Sequence, residues 1–291
     1  MLDADDPHTQ CRSCRLTVAI PSLQDPANLP RWRLFEHAKR RLIFTLLTLG
    51  LPPESAPQAP PGGGAGGAGG LRFQLLGDLP GQPLVVTGHD DGLITINLAE
   101  ADDLQRETAR VGLGEPQRSL LGHLRHEASH YLQQRYIDGR PGQALCRDLF
   151  GDERADYPTA LARHYAQGAP ADWQQHFVSP YASAHPWEDW AETCAHYLLV
   201  VDAVQTAASW GLTLGGATAA QPQPADGPVQ APVADLVLHQ WLPVAQFLNA
   251  MSRSLGQPDP YPYQMPDAVL AKMALVQALL HDAALPVPAV G

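Results

Sequence analysis

The sequence predicts an α+β fold that is mostly helical and carries a small antiparallel sheet. Two patterns lead to this prediction. β-Branched and alternating apolar residues concentrate between Leu71 and Leu98, as is typical of strands. After Ala99, apolar residues recur at intervals of three and four, which indicates amphipathic helices. With 291 residues, 45% of them hydrophobic, the chain is long enough to bury a core.

The first part of the chain, residues 1–54, combines a C-x-x-C pair with one helix. Cys11 and Cys14 have the spacing of half a zinc ribbon, but no second pair follows. We therefore expect the remnant of a ribbon rather than a closed four-cysteine site. Apolar residues at helical spacing predict a helix over about residues 30–49, with the basic stretch 31–41 on its solvated face.

Two low-complexity segments divide the rest of the chain. Residues 55–70 are rich in Pro and then Gly, which predicts a flexible linker ahead of a main domain at 71–285. Residues 215–232, rich in Ala, Pro, Gln and Gly, predict a disordered insertion within that domain.

Strands and helices are predicted in turn along the main domain. The strand pattern covers residues 71–76, 84–87 and 93–98, and the turn signal at 89–92 predicts a hairpin. Helices are predicted at 101–111, from about 116 to 138, and at 155–167, 187–207, 233–255 and 266–280. We expect the last two helices to cover any site from behind.

The predicted helix at 116–138 carries a metal-binding motif. His126, Glu127 and His130 form H-E-x-x-H, and residues four apart share one helix face. The two imidazoles can therefore bind one zinc ion, and Glu127 is placed to act as general base on a water at the metal. The alternative is an amphipathic helix whose polar face happens to carry histidines. A separate apolar stripe favours the metal interpretation; it consists of Leu121, Leu124, Ala128 and Leu132.

A catalytic zinc usually has a third protein ligand and one open position. Pro186 predicts a helix start that places Glu188 in the first turn and Glu192 one turn later on the same face. The helix dipole explains one acid in a first turn but not a run of three. Because Trp187 and Trp190 flank these acids, we expect buried carboxylates that need a partner. The candidates for the third ligand are Glu188, Asp189, Glu192 and His196.

Both motifs resemble the putative zinc-binding metallopeptidase family of bacterial proteins, in which R-H-E-x-x-H-Y is followed by H-P-W-E-D-W-A-E-T-x-A-H-Y-L. The chain has these blocks at residues 125–131 and 185–198, and the likeness runs from about residue 11 to about residue 280. Further matching blocks lie at 88–100, 151–157 and 248–258. The resemblance implies a zincin-like peptidase domain, a Zn²⁺ cofactor and a zinc ribbon ahead of the peptidase domain.

The resemblance also implies a ligand set. In the wider glutamate zincins the ligand Glu comes first, and an acid four residues later bonds to a ligand histidine. Carried onto this chain, Glu188 joins His126 and His130 as zinc ligands, and Glu192 orients one of the histidines. Some of these zincins place a Tyr seven residues before the ligand Glu. Tyr181 holds that position, where it either stabilises the oxyanion or is an ordinary half-buried tyrosine.

We interpret the remaining candidate site residues as structural. His196 is expected to pack against the site helix, and Asp189 to be a capping or solvent-facing acid. Asn249 and Arg253 match a family block, but polar residues on a helix surface are the ordinary case. Four more histidines are interpreted as structural: His123, His164, His176 and His185.

The sequence therefore predicts a zinc-dependent peptidase that acts on a peptide or protein substrate. One alternative is a catalytically silent zincin-fold interaction module, although a structural site has no use for Glu127 as a base. Another is a zinc hydrolase of a non-peptide amide or ester, which the site residues do not distinguish from a peptidase. Di-iron carboxylate chemistry needs paired E-x-x-H motifs, and the order of His126 and Glu127 is the reverse.

Net charge and composition limit the classes of partner that the protein is expected to bind. A formal net charge of −11 and a pI near 5.4 argue against nucleic acid or an anionic membrane as partner. No apolar run reaches the roughly 18 residues needed to cross a bilayer. The acidic start lacks the features of a signal peptide, and four cysteines do not make a disulfide framework. We therefore expect a cytoplasmic protein, whose oligomeric state the sequence does not predict.

Overall fold

The structure is a computed structural model that describes residues 7–53, 70–78, 81–102, 119–214, 231–261 and 264–284. Most of the predicted linker (55–70), of the predicted helix at 101–111 and of the predicted insertion (215–232) lies outside the described residues. The division into domains at 1–54 and 71–285 stays a prediction.

Helices dominate the described part of the chain. They are α1 (Arg12–Arg15), α2 (Asn28–Thr48), α3 (Leu120–Tyr136), α4 (Gly142–Phe150), α5 (Tyr157–Gln167), α6 (Pro186–Ser209), α7 (Val233–Asp235), α8 (Leu242–Ser254) and α9 (Asp267–Ala284). A π-helical segment, Leu236–Trp241, joins α7 to α8, so the predicted helix at 233–255 is nearly continuous. The short helices α1 and α4 were not predicted. None of the described helices combines the length and apolarity that a bilayer crossing requires.

Within the described ranges, four strands form one sheet: β1 (Thr17–Ala19), β2 (Arg72–Leu76), β3 (Gly88–Asp90) and β4 (Leu93–Asn97), in the order β1-β2-β4-β3. Only β3 and β4 are antiparallel; β2 runs parallel to both β1 and β4. The predicted antiparallel sheet is therefore wrong, and the sheet is mixed. Alternating apolar residues identify strands but not their neighbours. β2 pairs with β4 rather than β3, and α2 lies in the crossover from β1 to β2 that a parallel pair requires.

The hairpin β3–β4 lies where the turn signal predicted it. Asp90 pairs with Leu93, so Asp91 and Gly92 form a two-residue loop. Both have positive φ, 42° and 79°, which is the conformation that favours Asp-Gly in such loops. The strand predicted at 84–87 is absent. Leu84 and Val86 are 75% and 78% exposed, so this β-branched run has no sheet face to cover.

One hydrophobic core joins the sheet to the helices. β2 and β4 bury alternate residues, including Phe73 and Ile94, as strands with one covered face do. α3 packs against both α2 and α6. Trp190 on α6 is fully buried, and its Nε1 donates to the carbonyl oxygen of Ser129 on α3 at 3.0 Å. This α3–α6 contact fixes the two helices that carry the predicted metal ligands.

The basic stretch of α2 is only in part the solvated face that the sequence predicted: Arg33 is exposed, but two other basic residues are engaged within the fold. Lys39 is buried, and its Nζ donates to Glu36 Oε1 at 2.8 Å. Arg41 reaches α6, where a guanidinium nitrogen lies 2.7 Å from Asp202 Oδ1. Arg125 on α3 pairs with the same aspartate at 2.6 Å. A buried charge needs a partner. The partner of Lys39 lies one turn away on α2, whereas Asp202 is distant in sequence from both Arg41 and Arg125.

Asp189 likewise departs from its prediction as a capping or solvent-facing acid. It is 1% exposed, and its Oδ2 accepts from Lys272 Nζ on α9 at 2.5 Å. Burial raises the pKa of Asp189 to about 6, although the charge of Lys272 opposes the rise. Its partner is 83 residues away, so no local pattern indicated it. The pair ties α9 to α6, and α9 packs on α6 as expected of a helix that covers the site from behind.

Candidate metal centre

Helix α3 presents the two histidines of H-E-x-x-H side by side. The helix begins at Leu120, where the Ser119 side chain accepts a hydrogen bond from the Gly122 amide at 3.0 Å. The predicted start at residue 116 lies outside the described residues. One turn of helix separates His126 from His130, and their Nε2 atoms lie 3.2 Å apart. Both imidazoles therefore direct a nitrogen at one point.

Helix α6 brings a carboxylate to the same point. It begins at Pro186, as predicted, and His185 caps it by accepting from the Trp187 amide at 3.1 Å. This start places Glu188 in the first turn, 2% exposed. Its Oε2 lies 3.1 Å from His126 Nε2 and 3.7 Å from His130 Nε2.

These three side chains fit a zinc ion. Two ligands at the usual zinc distances and a tetrahedral angle are about 3.3 Å apart, and the three separations here are 3.1, 3.2 and 3.7 Å. Glu188 Oε2 is buried and accepts no hydrogen bond from the described residues, a costly state for a carboxylate oxygen unless a cation binds it. Two histidines and a glutamate are also a donor set found in catalytic zinc sites.

Glu192 fixes the orientation of His126. Its Oε1 lies 2.6 Å from His126 Nδ1, and Ser179 Oγ donates to its Oε2 at 2.7 Å. Burial alone would raise the pKa of Glu192, but the hydrogen bond and charge of His126 lower it. A carboxylate on Nδ1 leaves Nε2 as the nitrogen for the metal. The ring of His130 is held differently, by packing on Trp187 with 4.7 Å between ring centroids.

Tyr157, which was not predicted, holds the other oxygen of Glu188. It is the first residue of α5, and its hydroxyl donates to Glu188 Oε1 at 2.6 Å. Oε2 is thereby left to face the two histidines. Tyr157 ends the family block at 151–157, but its 31-residue distance from Glu188 gave no sign of the contact.

Tyr181 lies in the same cleft. It begins a short 3₁₀ turn, Tyr181–Ser183, and its ring centroid is 6.1 Å from that of His126. Burial and the negative charge of Glu188 raise its pKa, so the hydroxyl stays neutral and can donate. The structure thus places Tyr181 beside the candidate ligands, and its catalytic role stays a prediction.

Glu127 lies on the cleft side of α3 and is largely buried. Its Oε1 lies 3.3 Å from His123 Nε2, and His123 Nδ1 lies 2.5 Å from Glu100 Oε2. Burial disfavours the charged forms of His123 and Glu127, but the hydrogen bonds between charged partners stabilise these forms by more. They hold the pKa of His123 at about 9 and, with the charges of the neighbouring histidines, lower that of Glu127 to about 2. His123, interpreted from sequence as structural, therefore lies in the cleft.

The cleft itself has a volume of about 710 Å³, within the usual range for ligand sites. One wall is the exposed extended segment at residues 84–87, and the hairpin continues it through His89. Residues of α3, Tyr157, Tyr181 and the start of α6 also line the cleft.

His196, the rival third ligand, is engaged elsewhere. Its Nε2 lies 2.6 Å from the hydroxyl of Tyr261, and it is not among the three residues whose donor atoms converge. Asn249 holds Tyr261 in place: its Nδ2 donates to the Tyr261 carbonyl at 2.8 Å, and its Oδ1 accepts from the Tyr261 amide at 3.0 Å. Arg253 pairs with Asp259 at 2.5 Å in the same segment. Both residues of the block at 248–258 thus anchor the chain after α8.

Buried His196 makes stability depend on pH. Burial lowers its pKa from 6.5 to about 4, so between these values the unfolded chain binds more protons than the folded one. Stability should therefore fall as the pH drops from about 6.5 to 4, by at most about 3 kcal/mol from this group. Urea unfolding across this range should give a flatter pH dependence for His196→Gln than for wild type. Equal slopes would show that His196 does not titrate in this way.

Comparison with known proteins agrees with this centre. The sequence profile of the family described as "Putative zinc-binding metallo-peptidase" matches residues 28–279. Uncharacterized proteins of Mycobacterium tuberculosis and Mycobacterium bovis are 44% identical over 277 residues, which cover 94% of this chain and 76% of each relative. No solved structure matches the chain. The chain belongs to the putative zinc-binding metallo-peptidase family.

Proposed function

We propose that the protein is a zinc-dependent peptidase with a zincin-like fold. One observation carries the proposal: the donor atoms of His126, His130 and Glu188 converge within 4.8 Å of one another, and Glu127 lies beside them in an open cleft. A metal site that only stabilises a fold is usually closed by four protein ligands and needs no neighbouring base. Three donors and a base are the set that hydrolysis requires.

His126, His130 and Glu188 would hold the metal. A bound zinc ion lowers the pKa of a water molecule and polarises the carbonyl of the scissile bond. Tyr157 and Glu192 keep Glu188 and His126 in their orientations, so that the donor atoms are in place before the metal binds.

Glu127 acts as the general base. It accepts the proton of the attacking water and later delivers it to the leaving amine. Tyr181, kept neutral by its raised pKa, donates a hydrogen bond to the developing oxyanion. These roles are consistent with the positions of both side chains in the wall of one cleft.

The edge of the sheet suits an extended peptide. β3 is an edge strand of the sheet formed by the described residues, and it follows residues 84–87, which line the cleft. Backbone groups on such an edge can pair with a substrate segment as an added strand. We therefore propose a peptide or protein substrate. The acidic composition still argues against nucleic acid and membrane partners, and cytoplasmic location stays a prediction.

A library of unbiased peptides tests the function. Zinc-loaded protein should release new termini, detected by mass spectrometry, and chelation should abolish the release until zinc is added back. Cleavage of esters or non-peptide amides, with peptides untouched, would instead indicate another zinc hydrolase. Failure to bind zinc at all would contradict the peptidase and favour the interaction module.

A further inference from the structure

We propose that His123 is a positioning residue for Glu127, and that Glu100 fixes His123 in turn. The inference rests on the proposed function, in which Glu127 is the general base. It adds two residues to the site that belong neither to H-E-x-x-H nor to the α6 block.

The geometry around His123 uses both nitrogens of its ring. His123 precedes Glu127 by one turn of α3, so the two side chains share a helix face. Nε2 lies 3.3 Å from Glu127 Oε1, and Nδ1 lies 2.5 Å from Glu100 Oε2. A ring that bonds at both nitrogens has its orientation fixed at two points.

Glu100 is itself held from the cleft wall. It lies in the 3₁₀ turn Leu98–Ala101, directly after β4, and its Oε1 accepts from Thr87 Oγ1. The Thr87 hydroxyl in turn accepts from the Asn97 amide at 2.9 Å. Hydrogen bonds therefore connect the cleft wall to Glu127 through Glu100 and His123. The array thus connects the segment at residues 84–87, the end of β4 and the turn that follows it to helix α3.

The array restricts the conformation of the Glu127 side chain, as the role of a general base requires. A glutamate side chain has three rotatable bonds, and a base must hold its oxygen within hydrogen-bond reach of the proton it takes. His123 engages Oε1, which leaves Oε2 free of this bond and able to accept that proton. Fixing a reacting group in advance lowers the entropic part of the barrier. Loss of His123 should therefore slow turnover rather than weaken substrate or zinc binding.

Kinetics of zinc-loaded protein test this role. In His123→Ala we expect kcat to fall by about 10- to 100-fold, the range for groups that orient a site residue, with KM little changed and zinc retained. His123→Gln, whose amide can still donate to Glu127, should recover part of the loss. His239→Ala, on an exposed helix position, is the control and should match wild type. An unchanged kcat in His123→Ala, or a loss that follows loss of zinc, would overturn the proposal.

Thermal unfolding of zinc-free protein supplies a readout that needs no activity. His123→Ala, Glu127→Gln and the double variant form a cycle, and residues in contact give non-additive shifts in Tm. Non-additive shifts would support the contact even if wild type cleaved no peptide, in which case only the proposed function would fail. Additive shifts would overturn the positioning role.

Discussion

Replacement of Glu127 by glutamine should leave zinc bound and lower kcat by about 10²-fold to 10⁴-fold, the usual contribution of a general base. The substitution keeps the size of the side chain but removes its proton acceptor. Neither His126 nor His130 changes, so the metal ligands stay in place. The measurement pairs zinc content by plasma mass spectrometry with kcat on a peptide found in the library.

Glu153→Gln provides the matched control. Its carboxylate pairs with Arg147 outside the metal cleft, so the same chemical change there should leave kcat unaltered. Wild-type turnover in Glu127→Gln would remove Glu127 from the mechanism. A loss of both zinc and turnover would show that Glu127 supports the metal site rather than the proton transfer.

Replacement of Glu188 by alanine should reduce zinc from about one ion per chain to far less than one. Glu188 Oε2 is the buried oxygen that faces both histidines. Without it two donors remain at the centre among the residues that the structure describes, and the bound metal lacks the third ligand that catalytic sites share. Zinc per chain in untagged protein, wild type beside variant, measures the loss, and turnover should disappear with the metal.

Tyr157→Phe tests the role of Glu188 by a smaller change to the site. It keeps the carboxylate and removes only the hydrogen bond to Oε1. Zinc affinity should fall by about tenfold or more, as is typical when the partner of a metal ligand is lost, yet the site should still fill at high zinc. Full zinc occupancy in Glu188→Ala would contradict the ligand set.

The sequence predicted the parts of the site that depend on helix spacing. His126 and His130 are one turn apart, and Pro186 determined where α6 begins and hence where Glu188 and Glu192 lie. Such relations need only the helix period and a start signal. The structure places all four side chains at one centre.

The contacts that support the site depend on tertiary structure and were not predicted. Tyr157 is 31 residues from Glu188, and Glu100 is 23 residues from His123. Each contact exists only because α5, or the turn after β4, packs beside the helix in question. The parallel pairing of β2 was not predicted for the same reason, because the strands that lie beside β2 are determined by the tertiary structure.

The tip of the hairpin is also tied to the metal-binding helix. Gln134 Nε2, one turn beyond His130, donates to Asp91 Oδ1 at 3.2 Å, and the His89 ring stacks on that of His130. A fluctuation that lifts the hairpin must therefore break contacts with α3. Amide hydrogens of β3 and of the end of α3 should thus exchange with solvent at related rates, and metal binding should slow both together.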